Sequence, residues 1–210
     1  LTRSSAASDV YKRQARGISS SNFNNFINPK IKNLMPDPFV LDDMQKATFK
    51  ILELIKKNKK IGILGDYDVD GSSATALLCN FLNEINVPYE YYIPDRINEG
   101  YGPNINALND LKKKGCELIL TLDCGITAEL SINKVSKEGI DIIILDHHKE
   151  ADFLPNAFAI INPKKKKDTS GLDNLCATGV VFFFIIAINR ELKKIKFFKT
   201  TPPNLLKYLD

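Results

Sequence analysis

From Leu41 onward the apolar residues follow two alternating rhythms. Leu41, Met44, Thr48, Ile51, Leu52 and Ile55 recur at the spacing of one helical face, so residues 41–58 are predicted to form an amphipathic helix. Residues 61–64 are instead a continuous apolar run stopped by Gly65, as expected of a strand buried on both faces. The exchange then repeats. A helix is predicted over 72–84, a strand over 89–93 that stops at Pro94, and a helix over 105–114 closed by Gly115. A strand over 118–122, a helix over 128–137 ended by Gly139, a strand over 140–145 and a short strand over 158–161 follow. A long apolar helix is predicted over 175–192.

Apolar strands that alternate with helices predict an α/β fold, a parallel sheet flanked by helices on both faces. In such sheets ligands gather beyond the carboxyl ends of the strands, so chemistry-bearing residues are sought just after each predicted strand. Three of these positions are strongly polar. Gly65-Asp66-Tyr67-Asp68-Val69-Asp70-Gly71-Ser72 follows the first strand, Asp123-Cys124-Gly125 the third, and Asp146-His147-His148 the fourth. His147 and His148 are the only histidines of the chain.

Converging carboxylates repel one another, and bound divalent ions remove that conflict. Hard oxygen donors mixed with imidazole suit Mn²⁺ or Mg²⁺, the nitrogen favouring Mn²⁺. Two such ions about 3.5–4 Å apart activate a water and stabilise a leaving oxygen in phosphoryl transfer. The Asp-x-Asp-x-Asp-Gly spacing also occurs in calcium-binding EF-hand loops, but those need a Glu at the twelfth position. Counting from Asp66 that position is Leu77, and a strand-like run precedes the loop. Neither a Walker A pattern nor a dinucleotide fingerprint is present. A plainer role for any single Asp at a strand end is to cap the following helix.

Composition adds bounds. The 210 residues are 44% hydrophobic and 26% charged, ordinary for a globular domain able to bury its own core. The net charge of +4 permits a nucleic-acid partner without requiring one. Lysines cluster at 56–60, 112–114, 164–167 and 193–199, most simply as solvated helix ends and loops. The run 164–167 lies beside the candidate site and is the best placed to meet a phosphate backbone. Cys79, Cys116, Cys124 and Cys176 lack metal-ligand spacing and read as buried free thiols in a reducing cytoplasm. The longest apolar stretch, residues 175–188, is too short to span a bilayer. Residues 1–30 are Ser- and Asn-rich, and their first fourteen read as a cloning or sequencing-adapter scar, so this segment is expected to be disordered or non-native.

The motifs GDYDVDGSSATALL, LDCGIT and LDHHKE resemble the first three motifs of the DHH superfamily of phosphoesterases. IPDRINEGYGP, LPNAFAIINPK and LCATGVVFFF are similar to further segments of its RecJ-type single-strand-specific exonucleases. The resemblance covers roughly residues 35–210 and implies a DHH-type catalytic domain acting through two Mn²⁺ or Mg²⁺ ions. It implies metal ligation by Asp66, Asp68, Asp70, Asp123 and His147, with Asp123 bridging the ions. Asp123, His147 and His148 are the implied catalytic group, and Asp146 orients an imidazole. Substrate contacts are implied for His148, Arg96, Tyr101, Gly125 and Lys164. The implied partner is single-stranded DNA, digested from the 5′ end in repair and recombination, with a helicase or single-strand-binding protein as further candidates and no membrane.

Two departures accompany the resemblance. Many superfamily members outside the RecJ type carry a His four residues before the first Asp, where this chain has Gly62. The family's fourth acidic motif follows a segment resembling Tyr208-Leu209-Asp210, so the domain is expected to be truncated before that motif, with the DHH-associated domain absent and activity weak. Competing expectations are a DHH phosphoesterase of short oligonucleotides or cyclic dinucleotides, and a non-catalytic DNA-binding protein with a decayed site.

Overall fold

The sheet follows the predicted strand runs closely. The computed structural model describes residues 3–209; Leu1, Thr2 and Asp210 lie outside them, as do the extreme ends of the predicted segments 1–30 and 35–210. The chain separates into two units, residues 1–37 and 38–210. The first holds α1 (Arg3–Ala15), α2 (Phe23–Ile27) and α3 (Ile31–Leu34), although its composition predicted no periodic element. Lys12, Arg13, Gln14 and Ala15 are good helix formers, and most described side chains of α1 are exposed, so local propensity rather than burial accounts for this helix.

In the second unit a 3₁₀ turn (Pro38–Val40) leads into α4 (Met44–Lys56). There follow β1 (Ile61–Gly65), α5 (Val69–Glu84), β2 (Tyr89–Tyr92), α6 (Ile105–Lys113), β3 (Leu118–Leu122), α7 (Glu129–Lys137), β4 (Asp141–Leu145), β5 (Ala159–Ile161) and α8 (Ala177–Lys194). The strands form one parallel sheet in the order β2-β1-β3-β4-β5. Every residue of β1, β3 and β5 is buried. Alternation along the strands divides the side chains between two cores. Leu64, Ile119, Ile142 and Ile144 pack with Leu108 and Leu111 of α6 and Ile132 and Val135 of α7. On the other face α8 packs against α4 and α5. Its apolar residues point almost all round because it lies buried between them. Among the described residues no helix is long and apolar enough to cross a membrane.

The chain leaves β1 towards β2 on one side and returns to β3 on the other, so the sheet reverses its winding between β1 and β3. At such a point the connecting loops diverge and leave a crevice at the carboxyl edge. Asp66 follows β1 there, and Asp123 follows β3. The helix after β1 begins at Val69 rather than at the predicted Ser72, because the Asp68 carboxylate caps it by accepting the Gly71 N–H at 2.9 Å. Gly71 also lets this turn close. A Cβ there would lie 2.6 Å from the Asp66 Cβ and 2.7 Å from its carbonyl oxygen. The expectation of four buried thiols is corrected in part: Cys116 and Cys124 are buried, Cys79 is half-buried, and Cys176 is exposed because it sits at the start of α8.

Gly71→Ala is therefore expected to destabilise the domain by about 1–3 kcal/mol through overpacking. Urea unfolding checks the loss, and Mn²⁺ titration should show weaker binding because Asp66 and Asp68 flank the same turn.

Candidate metal centre

Asp123 sits at the middle of the crevice in a left-handed backbone conformation, φ +60°. That conformation is uncommon for a residue other than glycine. It is held by the Asp123 N–H bond to Leu145 O at 3.0 Å and by Tyr101 Oη, which donates to Asp123 O at 3.0 Å. Gly125 follows with φ +114°, and a Cβ there would lie 2.6 Å from Thr121 Oγ1. The turn thus aims the Asp123 carboxylate at the loops after β1 and β4. Its Oδ1 is buried without a hydrogen-bond donor, although His147 Nε2 lies 3.3 Å away.

Two sets of donors meet at this carboxylate. Asp66, Asp68 and Asp123 form one, and Asp123, His147 and His148 the other, each with its donor atoms within 4.8 Å of one another. The sharing of Asp123 is the arrangement expected of a carboxylate between two ions. Burial pushes the Asp123 carboxyl up from its ordinary 3.8 to about 8, helped by the charges of Asp70 and Asp68. Burial also raises the Asp66 carboxyl, with Asp68 adding to the shift. A site crowded with mutually repelling carboxylates and containing an orphaned buried oxygen fits hard divalent cations such as Mn²⁺ or Mg²⁺.

Asp146 is almost fully enclosed and makes four bonds. Its Oδ1 accepts from His147 N at 2.7 Å and His148 N at 3.1 Å and meets His148 Nδ1 at 2.7 Å; its Oδ2 accepts from Ile126 N at 3.1 Å. Burial alone would raise this carboxyl, but the bonds from His148 and Ile126 bring it below its ordinary value. His148 is raised in turn, chiefly by its bond to Asp146. With Nδ1 committed to Asp146, His148 presents Nε2, the geometry of an imidazole oriented by a carboxylate from behind. Tyr101 lies edge-on to the His148 ring at 6.1 Å.

Asp70 belongs to neither donor set. Its carboxylate accepts from Ala177 N at 2.7 Å and from Thr178 N and Oγ1 at 2.8 and 2.6 Å. It therefore caps α8, while its Oδ2 stays 3.6 Å from His147 Nε2. Burial opposes its ionisation, but the bonds from Thr178 and Ala177 lower its pKa. Asp68 thus fills the role of capping the next helix that stood beside the metal role, whereas Asp70 caps a helix distant in the chain.

The structure assigns other positions new contacts. Arg96 is exposed and its guanidinium stacks over the Tyr67 ring, 4.9 Å from the centroid. At Gly62 a Cβ would stand 3.2 Å from both the Cys116 Cβ and Ile119 Cγ1, so Cys116 occupies the space beside it. The lysine run is not uniform. Lys164 is exposed, but Lys165 is buried, with Nζ donating to Ile160 O at 2.7 Å and pairing with Asp42 at 2.6 Å. No periodic or charge signal in the lysine run singles out Lys165; Asp42-Asp43 is the counterpart that sequence reasoning passed over. Asn162, fully buried and bonded to His148 O at 2.9 Å, was likewise missed.

A family model described as the DHH family, N-terminal domain, matches residues 60–208. The single-stranded-DNA-specific exonuclease RecJ of Bacillus subtilis is 41% identical over 157 residues, which cover 74% of this chain and 20% of that protein. The exonuclease of the same description from Escherichia coli is 28% identical over 200 residues, 93% of this chain and 34% of that protein. The chain therefore spans about a fifth of the first relative and a third of the second. A crystal structure of exonuclease RecJ bound to manganese is similar with a TM-score of 0.68 and 28% identity, covering 81% of this chain and 41% of that one. RecJ from Thermus thermophilus in complex with Mn²⁺ shares the fold at a TM-score of 0.60 and 24% identity, covering 80% of this chain and 22% of that one.

Two outcomes follow from the electrostatics. In chelator the folded Asp123 carboxyl holds its proton more tightly than the unfolded one does. Its contribution to stability is present below pH 3.8 and is lost as pH rises through about 8. The Tm of the metal-free protein should therefore fall across this window, by about 3 °C or more. Asp123→Asn should flatten the fall, and saturating Mn²⁺ should reverse it. Asp146→Ala leaves His148 Nδ1 and three backbone N–H groups without their acceptor, among them that of His147, whose ring is the candidate ligand. Mn²⁺ affinity should drop about 10–100-fold by calorimetry, and less in Asp146→Asn, which keeps an acceptor oxygen.

Proposed function

The chain belongs to the DHH family, and on that premise we propose that its site hydrolyses phosphodiester bonds of single-stranded DNA from the 5′ end. The observation that carries this reading is the buried, unpartnered Asp123 oxygen shared by two donor sets. Asp66, Asp68 and Asp123 would hold one divalent ion, and Asp123 with His147 the other, with Asp70 supporting His147 from the start of α8. When bound, Mn²⁺ or Mg²⁺ ions supply an activated water and stabilise the charge of the leaving oxygen.

The protein's own groups do the rest. Asp146 fixes the His148 ring through Nδ1, so that Nε2 is free to donate to a phosphate oxygen. Protonation of His148 is favoured by the same bond and suits an anionic ligand. Tyr101 keeps Asp123 in its left-handed turn and stands beside His148, where its ring borders the substrate. Arg96, stacked on Tyr67 between the two acidic residues of the first loop, offers a planar fork to a phosphate oxygen. Gly125 leaves room for a strand to approach the Asp123 turn, and Lys164 extends positive charge past His148. Contacts of this kind reach the backbone and carry no base information, which suits digestion without sequence preference.

Residues 35–210 act in this reading as a catalytic domain completed by a fourth acidic motif and a DHH-associated domain. The setting is a cytoplasmic repair or recombination reaction in which a helicase or single-strand-binding protein presents the strand. Likeness to named single-strand exonucleases over most of the chain favours long strands above dinucleotides.

The test takes the protein extended through the fourth motif and follows Mn²⁺-dependent release of nucleotides from a 5′-phosphorylated single strand, a duplex and a dinucleotide. Single strands should be digested fastest. Asp123→Ala should abolish release, and His148→Ala should lower kcat about 10²–10³-fold while leaving Mn²⁺ affinity within a few-fold. Preference for the dinucleotide would move the assignment to small nucleotide substrates.

A further inference from the structure

Of the lysine clusters, the one after β5 is tied to the centre by a chain of buried and part-buried bonds. Lys165 Nζ reaches Ile160 O, Asp42 Oδ2 and, at 3.5 Å, Asp43 Oδ2. Asp43 Oδ2 also accepts the Ile160 N–H at 2.9 Å, and Asp42 N donates to Asp168 Oδ2 at 2.9 Å. The segment before α4 thus clamps both ends of the loop. Between them Asn162 donates through Nδ2 to His148 O at 2.9 Å and accepts the Lys164 N–H through Oδ1 at 2.8 Å. Lys166 is held by Glu150, which accepts from its backbone at 3.1 Å and pairs with Nζ at 3.3 Å.

This construction separates the charges by role. Lys165 is neutralised inside the fold, and Lys166 is paired with Glu150 at the surface. Lys149 and Lys164 are exposed, and neither has a carboxylate partner among the described residues. Both line a cleft of about 590 Å³, together with Glu150, Pro163, Lys165, Lys166 and Asp173. A second cleft of about 550 Å³ opens between Tyr101–Ile105 and Gly125–Ser131, on the β2–β3 side of the centre. It has no lysine or arginine in its lining, Glu129 is its only charge, and Leu130 projects into solvent there.

The first cleft starts at the residue after His148 and the second contains Tyr101, which bonds Asp123 O, and the two differ in electrostatic character. An exonuclease leaves one nucleotide on one side of the reacting phosphate and the whole remaining polyanion on the other. We propose that the lysine cleft is the track for the remaining single strand, with Lys149 and Lys164 each meeting a phosphate beyond the reacting one, while the terminal nucleotide faces the cleft that has no cationic side chain. The inference rests on the exonuclease reading above. The Lys165 and Asn162 bonds hold the track in register with His148, so the strand meets a rigid surface and little ordering is needed on binding.

The test measures binding by fluorescence anisotropy, with Mn²⁺ present and the oligothymidylates made nuclease-resistant by phosphorothioate linkages. The chain is compared with Lys149→Ala/Lys164→Ala, using a 5′-phosphorylated 12-mer and dinucleotide across a salt series. Two lost phosphate contacts should reduce the slope of log affinity against log salt by about 1.4 for the 12-mer. Its affinity should fall about tenfold, while dinucleotide affinity stays within about twofold. Lys149→Arg/Lys164→Arg, which keeps both charges, should restore the slope. An unchanged slope in the double alanine variant of a chain that does prefer the 12-mer would overturn the track alone. An equal loss for the dinucleotide would also overturn it, placing the lysines at the reacting phosphate. A parent chain with no preference for the 12-mer would instead count against the exonuclease reading itself. Equal Tm and Mn²⁺ affinity across the variants would establish that the differences arise at the surface.

Discussion

Like-charge repulsion in a buried place is the constraint around which this domain is organised. Asp123 has almost no exposed surface, has no donor on one oxygen, and lies close to Asp68 and Asp70. An isolated ionised carboxylate in that position is costly, so without a cation the group tends to keep its proton. The rest of the centre keeps this unfavourable arrangement in place. β3 delivers Asp123 to the point where the sheet reverses, Tyr101 and Leu145 hold its left-handed backbone, and Gly125 gives the turn room. Strain and repulsion of this kind persist only where the surrounding fold determines them, and they are a common companion of ligand sites.

The carboxylates are not specialised for one purpose. Asp68 starts α5, Asp70 starts α8, and Asp146 closes the turn after β4 while orienting His148. Capping and ligation are compatible because a carboxylate has two oxygens and more acceptor sites than either role uses. Asp70 is the clearest case, with both oxygens bonded to the start of α8 and one still 3.6 Å from His147. The metal loops and the secondary structure are therefore built from the same residues, and loss of one carboxylate disturbs both.

Much of this was legible in the sequence because it depends on short-range chemistry. Strands β1 and β3 are short, almost wholly apolar runs bounded by Gly65 and Asp123, and both lie within a residue or so of their predicted ranges. The three polar motifs follow their strands, so the parallel topology alone brings Asp66, Asp123 and His147 to one edge. What escaped notice depends on distant partners. Lys165 is separated by more than a hundred residues from Asp42 and Asp43, and its neighbours in the lysine run are solvated, so composition gave it the wrong environment. α5 takes in Val69, Asp70 and Gly71 ahead of the predicted start because the carboxylate that caps it is Asp68, inside the acidic loop. Cys176 was expected inside with the other thiols, yet it precedes the first buried residue of α8, Ala177, and is exposed.

The bond between Asp70 and the start of α8 sets how the centre comes apart. α8 is the most deeply enclosed helix of the domain, lying against α4 and α5, and its first buried residue, Ala177, is one of the donors to Asp70. A loop that only rested on the surface would open by itself many times for each unfolding of the whole. Here the first acidic loop is fastened to the core helix, so exposing it requires α8 to leave its place, an event close to global unfolding in free energy. The amides of Ala177 and Thr178 should therefore exchange hydrogen almost as slowly as those of β3. The geometry that receives a cation then belongs to the cooperative core, and it outlasts the departure of the cation itself.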